Sequence, residues 1–296
     1  MSDKHRNICW QGWKLQLPRR WDPLKLEGDH AQGYALFADT LRPRLGLRWQ
    51  TPRRNRKFDP DSAVRLALRN EVGQLAAEEA KTISVTDDTI TGALLYIEPQ
   101  PPGRDVLSLY SERSNRLLQL AYHAHRREQI LARSILPTLA DFPLDRAAPW
   151  AIFDLSCIIP ANMHLKSQRL SAGDLGLTFA DQFNQITVRQ IAIATLALER
   201  QSLDGWIADQ QKAFGRYHQP AGIFSDVTLP GNNHELTGRT SQMQRRMRYS
   251  LLWSQPKTLI TIALHDPARD RLILLHGSDE SLMKQIAITV GTICAS

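Results

Sequence analysis

Seven cations, Arg42, Arg44, Arg48, Arg53, Arg54, Arg56 and Lys57, fall within sixteen residues that hold no carboxylate. Six are arginines, whose planar fork meets a phosphate or a carboxylate with paired hydrogen bonds. Such a segment can hold the phosphates of a nucleic acid, by Coulomb attraction and counterion release, or an acidic protein surface. The competing explanation is a solvated strand and loop, neutralised by acidic groups from elsewhere in the chain. Alternation places Leu45, Leu47 and Trp49 on one face of a strand and Arg44 and Arg48 on the other. Arg53 to Lys57 is expected in the loop ahead of a helix. Trp13 and Trp49 share the register of core leucines, but Trp21 does not. Trp21 is therefore the expected exposed anchor of a binding surface, since Trp and Arg dominate interface hot spots. The smaller cluster Arg245-Arg246-Met247-Arg248 reads as the outer side of a strand.

The remaining reactive groups do not assemble into a catalytic set. His123 and His125 share a strand face, but two ligands do not make a tetrahedral zinc site, and a surface pair is the simpler reading. Asp39 and Asp181 each follow an apolar strand and are expected to be turn residues that bond the local backbone. Cys157 reads as a small buried hydrophobe, and Cys9 and Cys294 as thiols. There is no G-x-S-x-G elbow, P-loop or G-x-G-x-x-G. No catalytic, metal or cofactor site is expected. An enzyme with a site formed from His123, His125, Asp39 and Asp181 is the third-ranked reading, behind protein binding and sequence-tolerant nucleic-acid binding.

The elements that must position the basic segment follow from the whole chain. Its 296 residues carry 37 Lys+Arg against 30 Asp+Glu, a formal charge of +7, with 42% apolar residues. No apolar run is long enough to span a membrane, and no secretory signal is visible, so a cytoplasmic setting without membrane contact is expected. Self-comparison then divides the chain. Leu17-Pro18 is echoed by Ile159-Pro160, and Phe37-Ala38-Asp39 by Phe179-Ala180-Asp181, both 142 residues on. Asn115-Arg116-Leu117-Leu118 is echoed by Asp270-Arg271-Leu272-Ile273, 155 residues on, so the second copy holds 13 extra residues. Two prolines and alternating charges in 143–149 mark the break, giving domains 1–142 and 149–296.

Within the first half, strands are expected over 13–17, 33–39 and 44–49. Asp59-Pro60-Asp61-Ser62 then starts a helix that buries Val64, Leu68, Leu75 and Ala76. Strands over 93–98, 105–110 and 116–123 lead into a closing helix over 126–140, with Ile130, Ile135 and Leu139 inward. The second half repeats the order, with strands over 151–158, 174–179 and 186–198 and a helix over 203–217 on Trp206, Ile207 and Phe214. Strands over 222–228, 247–253, 258–264 and 271–275 and a final helix over 279–293 complete it. Consecutive antiparallel strands with helices at fixed places give an α+β fold, not a doubly wound sheet.

This half-pattern, carried by Leu17-Pro18-Arg19-Arg20-Trp21, Gly33-Tyr34-Ala35-Leu36-Phe37 and the 116–123 strand with its following helix, resembles the Mog1/PsbP-like family. The second copy keeps Ile159-Pro160 but has Met163 where Trp21 stands. The resemblance implies two sheet-and-helix α/β/α sandwiches in tandem, and a role in binding protein partners rather than in catalysis. The expected function is therefore a binding or adaptor protein that takes an acidic protein surface on Trp21 and the segment Arg42 to Lys57, with nucleic acid as the alternative ligand.

Overall fold

A computed structural model of the chain describes residues 5–40, 42–53, 58–84, 90–99, 103–123, 131–230, 235–247 and 256–292. The chain divides into two compact units, Met1–Phe153 and Asp154–Ala295. Both are α+β, built of antiparallel sheets with few helices.

The first unit opens with β1 (His5–Trp10), β2 (Trp13–Pro18), β3 (Asp22–Gly28), β4 (Gln32–Ala38) and β5 (Pro43–Gln50). Two helices follow, α1 (Pro60–Val72) and α2 (Gln74–Glu78), then β6 (Lys81–Thr82), β7 (Ile90–Tyr96), β8 (Arg104–Ser111), β9 (Arg116–His123), β10 (Ala140–Asp141) and β11 (Ala148–Ile152). Strands β3 to β9 form a seven-stranded sheet in the order β3-β4-β5-β9-β8-β7-β6, while β10-β2-β1-β11 lie side by side in another. Aromatic rings join the two layers. Trp13 lies 5.8 Å from Trp49 and 6.3 Å, edge-on, from Phe37, all three buried. On the other face α1 sets Val64 and Leu68 against Leu94, Val106, Tyr110 and Leu117. Asp59 caps α1 as its sequence announces, accepting a hydrogen bond from the Ser62 N–H at 3.0 Å.

A buried ion pair ties the first unit together. Arg116, at the start of β9, is fully buried and pairs with buried Asp141 of β10. Its Nη1 donates to the carbonyls of Gln11, at 2.6 Å, and His30, at 2.9 Å. One guanidinium thus gathers the β1–β2 turn, the β3–β4 turn and β10. Gly12 is required at that turn: it has φ 86, and a Cβ there would stand 2.7 Å from the Phe142 carbonyl. Burial draws the Arg116 pKa down to about 9, which leaves it charged at neutral pH.

The second unit comprises β12 (Leu155–Ile159), β13 (His164–Ser171), β14 (Asp174–Ala180), β15 (Gln185–Ala192), α3 (Ala194–Glu199) and α4 (Leu203–Gln211). It continues through β16 (His218–Pro230), β17 (Glu235–Arg245), β18 (Thr258–Asp266), β19 (Arg271–Gly277) and α5 (Glu280–Thr289). Its seven-stranded sheet runs β13-β14-β15-β19-β18-β17-β16, the order of the first unit's sheet strand for strand. Trp206 and Ile207 of α4 pack on Ala263, Leu272 and Leu274, and α5 buries Met283, Ile286 and Ala287. The extra length lies in the long β16–β17 hairpin. In both sheets the outermost strands are irregular or short: register shifts interrupt β3 at Pro23–Lys25, β13 at Leu165–Ser167 and β16 at Pro220–Phe224, and β6 has two residues.

Several sequence expectations change. The division falls after Phe153, so β11, assigned to the 149–296 domain, belongs to the first unit, where its Ala151 pairs with Cys9 of β1. Of the helix expected over 126–140, residues 126–130 lie outside the described ones. The remainder is a π-helical turn at Leu131–Ile135 and a 3-10 turn at Leu136–Thr138, followed by β10. Pro137, with no N–H, prevents an α-helix from continuing, and Asp141 is drawn into a strand opposite Trp13. The α1 stripe ends at Gly73, with φ 90, so Leu75 falls in α2 and is 80% exposed instead of buried. The strand expected to 198 stops at Ala192. Ile193 takes a left-handed φ of 60 and the apolar run turns into α3. Of the strand expected over 247–253, residues 248–253 lie outside the described ones. The partner of β18 is instead β17, a polar segment with no strand-like alternation.

The buried pair makes a prediction. Replacing one member strands the other's charge, so Arg116→Met is expected to cost about 3–5 kcal/mol in urea unfolding, and Arg116→Met with Asp141→Leu to recover much of that loss. A loss below about 1 kcal/mol in the single variant would show that Arg116 is not the tie.

Candidate functional site

The basic segment starts on β5, where alternation holds. Leu45, Leu47 and Trp49 are buried, while Arg44 and Arg48 take the opposite face. That face is the one bearing α1. Arg48 pairs in register with Gln119 of β9, whose amide donates to the Ala67 carbonyl of α1 at 3.1 Å. Tyr34 of β4 stands opposite Arg48 and lies across Gly46, where an added Cβ would be 3.1 Å from its hydroxyl. Lys25 of β3 sits 5.9 Å from the Tyr34 ring centroid. Lys25 also pairs with Glu27 at 2.9 Å, and Glu27 stands opposite Tyr34, so the tyrosine has both charge signs beside it.

The seven cations are not equivalent. Arg44 is drawn in by Asp39 at 2.5 Å, with 15% of its side chain exposed. The Arg42 N–H caps the Asp39 carboxylate at 3.0 Å, and Arg42 is half-buried. Arg48 is 60% exposed and meets Glu71 of α1 loosely, at 3.7 Å, while Glu71 pairs closely with Arg104. Arg53 is exposed, and Arg54, Arg56 and Lys57 lie outside the described residues. Two of the seven are thus met by acids from outside the segment, Asp39 and Glu71. The Asp39 contact is local, but the Glu71 contact is not signalled by spacing, since Glu71 lies on a helix beyond the loop.

Trp21 is not an anchor. It is 3% exposed and stacks on Tyr122 at 5.9 Å. Tyr122 pairs with Leu45, so Trp21 packs on the sheet face opposite Arg44 and Arg48. A tryptophan outside any strand register can still be core when a turn carries it under the sheet. Here the turn is closed by the Trp21 N–H donating to Pro18 O at 2.9 Å.

The other candidates resolve as structural groups. His123 is exposed at the end of β9. Desolvation first, and the Arg104 charge second, lower its pKa. His125 lies outside the described residues. Asp39 and Asp181 do the same task in the two units. Each backbone N–H donates to the carbonyl of the residue three on, and each carboxylate accepts that residue's N–H, Arg42 or Asn184. At Asp181 desolvation acts upward, but the N–H groups of Asn184 and Phe183 hold the carboxyl below its ordinary value. Among the described residues no group of three or more His, Cys, Asp or Glu is placed to hold a metal ion, and no helix is long and apolar enough to cross a membrane. Cys9 and Cys157 are buried and form no disulfide.

One titratable cluster escaped the sequence reading. His276 of β19 is 6% exposed, stacks on Phe214 at 3.9 Å, and has Nδ1 2.9 Å from the Thr261 hydroxyl. That hydroxyl accepts the Gln211 amide N–H at 3.1 Å and so is free to donate to Nδ1. Burial, aided by His218, lowers the His276 pKa to about 4. A lone histidine in an apolar strand offers no sequence signal for this.

The chain is similar to the apo structure of the immunity protein TplEi of the T6SS from Pseudomonas aeruginosa, with 12% sequence identity and a TM-score of 0.30 over 97% of this chain and 96% of that chain. No family model and no curated protein matches it.

Two predictions follow from this geometry. Trp21→Ala is expected to lower stability by about 3–5 kcal/mol in chemical denaturation, as a core truncation does; an unchanged midpoint would return Trp21 to the surface. His276 is neutral when folded, with a pKa near 4, against an ordinary value of 6.5. The unfolded chain therefore takes up the proton first, and stability is lost as pH falls from 6.5 toward 4, by about 3 kcal/mol in all. His276→Phe, which keeps the ring and leaves Thr261 to Gln211, should flatten that part of the stability–pH curve. An equal acid loss in the variant would clear His276 of the effect.

Proposed function

We propose that the chain is a non-enzymatic binding protein, built as two Mog1/PsbP-like units, that holds an acidic protein surface on the Arg48 face of its first sheet. The observation that carries the reading is Arg48. Its side chain is 60% exposed, stands opposite Tyr34 in the sheet, and is only loosely held by Glu71 at 3.7 Å. A partner carboxylate can displace so weak a contact at little cost, because exposed ion pairs contribute about 0–1 kcal/mol. Tyr34 and the exposed Arg53 supply the aromatic and cationic contacts that interfaces favour. Arg44, already matched by Asp39, serves the turn rather than the partner. The shared strand order of the two units supports reading them as copies of one module. A cytoplasmic setting fits the buried thiols of Cys9 and Cys157.

The test is capture of partners by the tagged full chain from its native lysate, with and without nuclease, against the Arg53→Glu/Arg54→Glu/Arg56→Glu variant. The expected outcome is a stoichiometric protein that survives nuclease and is lost from the variant, whose melting temperature stays nearly unchanged. Capture that depends on nucleic acid would overturn the reading, as would undiminished capture by the variant.

A further inference from the structure

The Arg48 face of the sheet does not account for the outer side of α1. The buried stripe of that helix is Val64 and Leu68, so Arg65, Leu66 and Arg69 point away from the sheet. Gly73, with φ 90, then ends α1 and sets α2 beside it. Between the two helices lies a groove of about 330 Å³, in which Leu66 and Ala77 meet Arg65 and Arg69 on the α1 side and Glu78 on the α2 side. Leu66 is 48% exposed, and neighbouring Leu75 is 80% exposed.

The charges are as uneven as the surface is apolar. In this unit Arg6, Arg44, Arg48, Arg104 and Arg116 each meet a carboxylate. Arg65 and Arg69, one helical turn apart, have no ion pair among the described residues. Glu78 is engaged by the Gln74 amide at 3.4 Å.

We propose that this groove docks an acidic segment of a protein partner, with one large apolar side chain in the groove and flanking carboxylates on Arg65 and Arg69. The proposal rests on the protein-binding reading above and extends its surface onto the helices. The volume is at the small end of ligand clefts, which suits a single side chain rather than a whole helix face. Side chains at i and i+4 leave the helix with Cβ atoms about 6 Å apart, a spacing that two carboxylates on a short segment can match. Glu78 fixes the orientation, because it repels a carboxylate placed on the α2 side. A nucleic acid would bring phosphate against Glu78 and leave Leu66 and Leu75 without apolar contact.

The experiment is fluorescence anisotropy on the full chain with a labelled short peptide of Glu and Leu. The comparison probes are its Gln/Leu and Lys/Leu counterparts and an oligothymidylate. The Glu/Leu peptide is expected to bind about tenfold tighter than the Gln/Leu one, and the Lys/Leu peptide not at all. Arg65→Glu/Arg69→Glu should weaken it about tenfold or more, and Leu66→Glu by a similar factor, both with unchanged circular dichroism and melting temperature. These side chains are exposed, so folding is not at stake. Equal binding of the Glu and Gln peptides, indifference to the groove variants, or tighter binding of the oligothymidylate through the same arginines would overturn the proposal. The two surfaces fail separately: Arg53→Glu/Arg54→Glu/Arg56→Glu tests the sheet by lysate capture, and the groove variants test the helices by peptide affinity.

Discussion

The first unit depends on one buried guanidinium. A fully desolvated Arg116 is tolerable only if its charge is matched and its N–H groups are all but spent, and Asp141 with the Gln11 and His30 carbonyls meets that demand. The demand is unforgiving in space. It brings turns far apart in sequence to within hydrogen-bond reach of one residue, and it pulls the chain after β9 back to lie beside β2. The short β10 exists because Asp141 must reach Arg116. The layer of β1, β2, β10 and β11 is therefore seated on the larger sheet by a polar constraint as well as by Trp13 against Trp49.

The second unit holds a more exposed pair at its own β19. Arg271, which stands 155 residues beyond Arg116 at the start of β19, pairs with Asp154 at 3.0 Å, but both are partly exposed. Backbone strain repeats alongside. Gln11 and Phe153, 142 residues apart, have φ 48 and 51, and Asn115 and Asp270, 155 apart, have φ 56 and 51. The same left-handed turn conformations thus occur at matching offsets in both units, on different side chains. These offsets, 142 and 155, are the ones at which the short peptide echoes fall in the sequence.

Legibility failed where burial was lacking. Strands β3 and β13 lie at sheet edges with mostly exposed side chains, so neither shows the alternation that marks a half-buried strand. Both read as polar connections. Strand β17 is hidden for a similar reason. The apolar run into α3 has the opposite defect, being hydrophobic without a period, and only the left-handed Ile193 divides strand from helix. In the candidate site, alternation placed Arg44 and Arg48 on one face, but the Glu71 beside Arg48 and the burial of Trp21 arise from tertiary packing, which spacing along the chain does not encode.

The irregular outer strands carry a consequence for life at high concentration. A sheet border with a straight row of unpaired N–H and C=O groups recruits another such border, and chains then stack without limit. The shifts at Pro23–Lys25, Leu165–Ser167 and Pro220–Phe224 break that row on three borders, and the fourth, Lys81–Thr82, is too brief to seed a ladder. Two large antiparallel sheets in one chain would otherwise offer four sticky margins. At those margins association is left to side-chain surfaces, where a partner is chosen by shape and charge and not by backbone hydrogen bonding that any extended peptide can supply.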